Sequence, residues 1–170
     1  STSEDYDKIY NYLSDKYSDD ERIQSINRSN ATYGSISGFG AQRYQVDIID
    51  KAVVPYLEGN KNISLKGNEI IIPKYIIKTT EDALSTLGKI PYQDGDELIG
   101  KTVKLNFDVW HNFSVTYPDG SLGMDSELDG SKTYEFTVVG TYDNISMYEG
   151  TPYVFVQEEM ANTIKNEIQV

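Results

Sequence analysis

The sequence contains no cysteine, and that absence excludes disulfides and thiolate metal sites. Basic residues are scarce. Lys and Arg number 15 against 27 Asp and Glu, a net charge of −12 over 170 residues. No basic stripe exists, so the long-range field repels nucleic acid. The same balance favours cationic partners such as basic peptides, beside its plain use as a solubilising surface. Long apolar runs are missing too. The nearest, "EIIIPKYII", is short and broken by Pro73 and Lys74, well below the roughly 20 residues of a membrane span. The sequence shows no signal peptide and does not begin with Met, and both ends read as cut from a longer protein.

Catalytic motifs are equally absent. There is no G-x-S-x-G, H-E-x-x-H or Walker loop, and "GSISGFG" lacks the Lys and the strand–helix frame of a phosphate loop. His111 is the one histidine. It falls on the apolar parity of a strand and reads as a partly buried structural residue; a general base needs a nucleophile or second acid–base group beside it. The best metal candidate is "DSELDG". Asp125, Glu127, Asp129 and Gly130 stand at the first, third, fifth and sixth positions of an EF-hand-like loop, but the twelfth is Phe136 where a bidentate Glu is needed. Strands rather than helices flank it, so a solvated hairpin tip is expected there. Five Asn-x-Ser/Thr triplets, at Asn27, Asn30, Asn62, Asn112 and Asn144, fit chance in an Asn-rich chain.

What is present is periodicity. Tyr6, Tyr10, Leu13 and Tyr17 form one stripe of an amphipathic helix over 3–17, with Ile9 beside it. A further helical turn or two is expected at Asp19–Ile26, completing a stalk-like segment 1–30. Residues 33–40 read as a flexible Gly/Ser-rich segment. Strands are expected at 43–50, 68–77, 102–117, 133–142 and 152–156, and helices from Thr79 to Leu87 and from Gln157 to Ile168. Val103, Leu105, Phe107, Val109, His111, Phe113, Val115 and Tyr117 share one parity. This run and the strand after Thr133 should form an antiparallel hairpin whose tip is a long mobile loop, 118–132. Val103, Leu105, Phe107, Phe136, Val138 and Val154 are the expected sheet core, and Gly140 marks a bulge or close backbone approach. The chain is thus expected to be one domain, with an α+β core over 42–170 built on a mixed, mainly antiparallel sheet with flanking helices.

Four segments carry a resemblance. "GNEIIIPKYI", "DELIGKTVKLNF", "YEFTVVGTYDN" and "PYVFVQEEMANTI" follow one another as do the elements of MacB-like extracytoplasmic domains of ABC transporter permeases in the MacB/FtsX superfamily. Gln157 stands where that family usually has Pro. The resemblance covers 68–168, with an echo at "RYQVDIID". It implies a periplasmic-core-like fold and a place outside the membrane between the first two membrane-spanning helices, with helix 3–17 continuing from the first. It further implies a domain that is not an enzyme and holds no cofactor, ATP being bound by a separate cytoplasmic ABC ATPase. The partners it implies are the transmembrane region of the same permease and that ATPase, and the task it implies is export or handling of peptides, antibiotics or lipoproteins. The richness in Asn, Ile, Lys and Tyr suggests an AT-rich bacterial genome, and with it the extracellular face of a Gram-positive cell membrane. A surface adhesion or ligand-binding module is the alternative, for which 14 tyrosines and 5 phenylalanines offer contact area.

Overall fold

The computed structural model describes residues 3–17, 32–40, 42–77, 92–147 and 152–169. Three α-helices are seen there: α1 (Ser3–Tyr17), α2 (Asn144–Met147) and α3 (Glu158–Ile168). They accompany eight strands: β1 (Thr32–Ile36), β2 (Arg43–Asp47), β3 (Glu69–Pro73), β4 (Tyr75–Ile77), β5 (Tyr92–Asp94), β6 (Thr102–Thr116), β7 (Leu122–Tyr142) and β8 (Tyr153–Phe155). The fold is α+β on a mixed sheet. Six strands run in the order β1-β2-β8-β3-β7-β6, and β6 returns to β1 to close a barrel. The pairs β2/β8 and β3/β7 are parallel and the other barrel pairs antiparallel. β4 and β5 form a separate antiparallel pair.

Alternation drives the closure. Val103, Leu105, Phe107 and Val109 of β6 turn inward to meet Phe136 and Val138 of β7, Val154 of β8 and Ile70 and Ile72 of β3. All six residues expected to form the core are buried. Helix α3 adds Ile164 and Ile168 to the same cluster. β3 is apolar on both faces because it has a second partner outside the barrel. There Ile71 packs with Val53, Leu57, Tyr142 and Phe155, under the chain that leads through the 3-10 turn Val54–Tyr56. Such two-sided burial explains why "EIIIP" reads as a continuous run rather than an alternating one. The Tyr142 hydroxyl donates to the Tyr153 carbonyl at 2.7 Å and accepts from the Tyr153 N–H at 2.8 Å, fastening β7 to β8.

Gly140 stands at the expected irregularity. The register passes from Ile70↔Val138 to Ile71↔Gly140, leaving Val139 as the extra residue. A Cβ on Gly140 would come within 2.8 Å of Ile71 Cδ1. Two expectations are corrected. Residues 33–36 of the segment expected to be flexible belong to β1, so the core begins before residue 42. Its Gly34 leaves room for the Phe107 ring, 2.5 Å from where a Cβ would stand. The segment 118–132 is not a long loop. Leu122 onward is strand, paired residue by residue with β6, and the turn is confined to 117–121. The mixed, mainly antiparallel sheet is present as expected, and it closes on itself as a barrel. The helices expected at Asp19–Ile26 and Thr79–Leu87 lie outside the described residues, as do residues 18–30 of the stalk-like segment.

Candidate functional site: a two-stranded arm

β6 is longer than the barrel needs. Val109 is its last buried residue, and from Trp110 on the strand and its β7 partner leave the barrel as a two-stranded arm. Six residues of strand, His111 to Thr116, give it a reach of about 20 Å. A bulge marks its root. The register jumps from Asp108↔Ser131 to Trp110↔Leu128, so Asp129 and Gly130 together oppose Val109. Gly130 takes φ 102°, a left-handed conformation open to glycine and strained for other residues. Arg43 Nη2 to Asp108 Oδ2 at 3.2 Å ties the root to β2, and the Lys132–Glu167 ion pair ties it to α3.

Residues opposite each other in the ladder share a face. On one face stand Trp110, Leu128, Met124 and Leu122, which are 44%, 57%, 66% and 80% exposed. On the other, the core stripe of β6 continues outward as His111, Phe113, Val115 and Tyr117. The His111 ring stacks on Phe113 with centroids 6.2 Å apart and planes at 22°. Tyr117 lies over Gly123, whose missing side chain makes room for the ring. Asp125 and Glu127, opposite Phe113 and His111, bring carboxylates to that face. Between Leu105 and Ser131 there is no lysine or arginine, only the carboxylates of Asp108, Asp119, Asp125, Glu127 and Asp129. The arm therefore exposes large apolar side chains, interleaved on one face with Asn112, Ser114, Thr116 and Ser126, and its charges are of one sign. Exposed apolar side chains gathered on one element make it a candidate interaction site.

The three metal candidates lie on this arm. Asp125, Glu127 and Asp129 sit along a strand, not around a loop, and successive members are about 7 Å apart along the chain. Asp125 Oδ1 accepts from the Ser126 N–H at 2.8 Å. Among the described residues no group of His, Asp and Glu is gathered to hold a cation. His111 is exposed rather than partly buried, and its ring contact is Phe113.

A second feature is a cleft of about 300 Å³ where α1, β2 and α3 meet, lined among others by Tyr10, Asp47, Asp50, Glu158 and Lys165. Asp50 Oδ1 accepts from the N–H groups of Ala52 and Val53 at 2.9 and 3.2 Å and so holds the turn after β2. Burial raises the Asp47 carboxyl above its ordinary value, and Asp50 adds to the rise, against the Ile48 N–H that stabilises the anion. These carboxylates serve local structure first.

Sequence reasoning found the β6 half of the arm, in the strand expected over 102–117, and missed its β7 half. Its signal was the even-numbered Leu122, Met124 and Leu128, diluted by Gly, Ser and Asp of low strand propensity. No family model, curated protein or solved structure matches the chain.

Proposed function

We propose that the chain is a non-catalytic extracytoplasmic domain of an ABC transporter permease, at the extracellular face of the cell membrane. In this reading the barrel transmits motion driven by a separate cytoplasmic ATPase, and the arm engages the handled substrate. The observation that carries the reading is an adjacency. The segments resembling MacB-like domains form neighbouring strands, β8-β3-β7-β6, with α3 following β8. They make one continuous wall, as parts of a common scaffold would. The N-terminal helix α1 lines a cleft with α3 and β2, and a displacement of α1 would reach the scaffold there. The carboxylates of the arm suit a cationic peptide as substrate, and ATP would bind only the partner subunit.

The test is purification of the full-length gene product from its native membranes. Recovery in the membrane fraction with a stoichiometric ABC ATPase is expected. A wall-anchored or secreted product with no such subunit would overturn the reading and favour an adhesion module, to which the exposed arm is also suited.

A further inference from the structure

We propose that the outer edge of β6, His111–Thr116, takes up an extended basic peptide as an added strand. This deepens the binding role given to the arm and rests on that reading. Three observations carry it.

The first is that this edge already pairs. β6 uses one side for β7. On its other side Asn106 and Leu105 pair with Ser35 and Ile36 of β1, and Trp110 forms a parallel bridge with Gln169 after α3. Beyond Trp110, among the described residues, no strand continues along that side. The backbone groups facing outward there lie in register with an edge that has accepted two partners.

The second is that the edge lacks the devices that usually block strand addition. Edge strands are commonly guarded by lysine, proline, bulges or inward-pointing charge. "HNFSVT" has none of these, and its aromatic and β-branched residues favour extended backbone. The other margin of the arm differs. β7 is interrupted by its bulge at Asp129 and Gly130.

The third is charge. A second copy of the chain is the usual risk of an open edge, but it would bring a like-charged arm on a molecule of net charge −12. Like charges across a contact disfavour that partner, and a basic strand meets the opposite sign. The two faces give the pattern. One side of an added strand would lie beside Phe113 and Val115, within a lysine's reach of Asp125 and Glu127. The other would lie beside Trp110, Asn112 and Ser114, with Met124 one strand further on. The fitting ligand therefore alternates basic and apolar residues. Main-chain hydrogen bonds hold such a strand and the alternating side chains select it.

Trp110 is the only tryptophan, so its emission reports on the arm alone. The 170-residue chain is titrated with a ten-residue peptide alternating lysine and valine. A saturable blue shift is expected. The same peptide with glutamate for lysine should give none. N-methylation of alternate backbone nitrogens in the lysine peptide should weaken binding about tenfold or more, because the ladder cannot form. The exposed double reversal Asp125→Lys with Glu127→Lys should weaken it about tenfold too, with an unchanged thermal melt. Absence of a shift with the lysine peptide would overturn the proposal. So would equal binding of the N-methylated peptide, which would mean adhesion to apolar surface without strand pairing. Sedimentation showing a peptide-free dimer that Ser114→Lys dissolves would assign the edge to a second copy instead. Because purified chain suffices, peptide binding without any ATPase partner would leave this inference standing while the permease reading fell.

Discussion

Val138 is fully buried between β3 and β6, with Ile70 as its ladder partner on β3. Val138→Asp would place a carboxylate there without a cation, at a cost of about 3–5 kcal/mol. Urea unfolding should show that loss as a lower midpoint, and an unchanged midpoint would mean that this face is open to water. Gly34→Ala acts by volume instead. Its Cβ meets the Phe107 ring at 2.5 Å, and the repacking should cost about 1–3 kcal/mol, read by the same method. Asp47 gives a pH signature. Its folded-state pKa lies above the ordinary value, so the native state holds its proton more tightly than the unfolded chain. The resulting penalty is absent below the ordinary carboxylate range, grows as pH rises through the raised pKa, and is complete at neutrality. Asp47→Asn should therefore stabilise the protein at pH 7 and lose that advantage near pH 3, as thermal melts at the two pH values will show. Asn can still accept from the Ile48 N–H, so the local hydrogen bond is not at stake.

The β6–β7 hairpin shows what an element reveals before its structure is known. Its first half was legible, because Val103 to Val109 alternate against Thr102 to Asp108 and every inward residue is apolar. So were β2, β8, α1 and α3, whose periods are undisturbed by glycine, and β3, whose continuous β-branched run marks it. The outer half of β7 was not, since Gly123, Ser126, Asp129 and Gly130 are turn residues by local preference; pairing with β6 holds Gly123 and Ser126 extended, and Asp129 and Gly130 form the bulge. β1 was hidden likewise: "YGSI" looks flexible until Gly34 is seen to yield its space to Phe107. The outer hairpin makes few contacts with the barrel, so it should be removable. Joining His111 to Glu127, a ladder pair, through an Asn-Gly turn deletes the outer arm and keeps the register. The thermal midpoint should stay within a few degrees of the parent. A larger fall would show that the arm packs on the body of the protein.

At the scale of the whole molecule, barrel closure was the feature least accessible from sequence. It depends on β1 and β6 meeting over only two residue pairs, Ser35↔Asn106 and Ile36↔Leu105, which leave no mark on the periodicity of either strand. The candidate site was legible only as an acidic stretch without basic residues. Its apolar side chains were on the page, but their exposure depends on where the barrel ends. The functional account joins three parts: an arm that meets the substrate, a barrel that holds it, and α1, which carries motion. Tyr10 lies in the interior of α1, and Tyr10→Pro would remove a helical hydrogen bond and clash with the preceding turn, at about 3 kcal/mol. The barrel core lies in other segments and should survive the change. The measurement that tests the central claim most directly is ATP hydrolysis by the full-length gene product, purified together with the ABC ATPase proposed as its partner, with and without the alternating lysine–valine peptide. The account predicts that the peptide stimulates hydrolysis in the parent, and that both the arm-deleted variant and Tyr10→Pro keep basal hydrolysis but lose the stimulation. A peptide response that persists in either folded variant would contradict it.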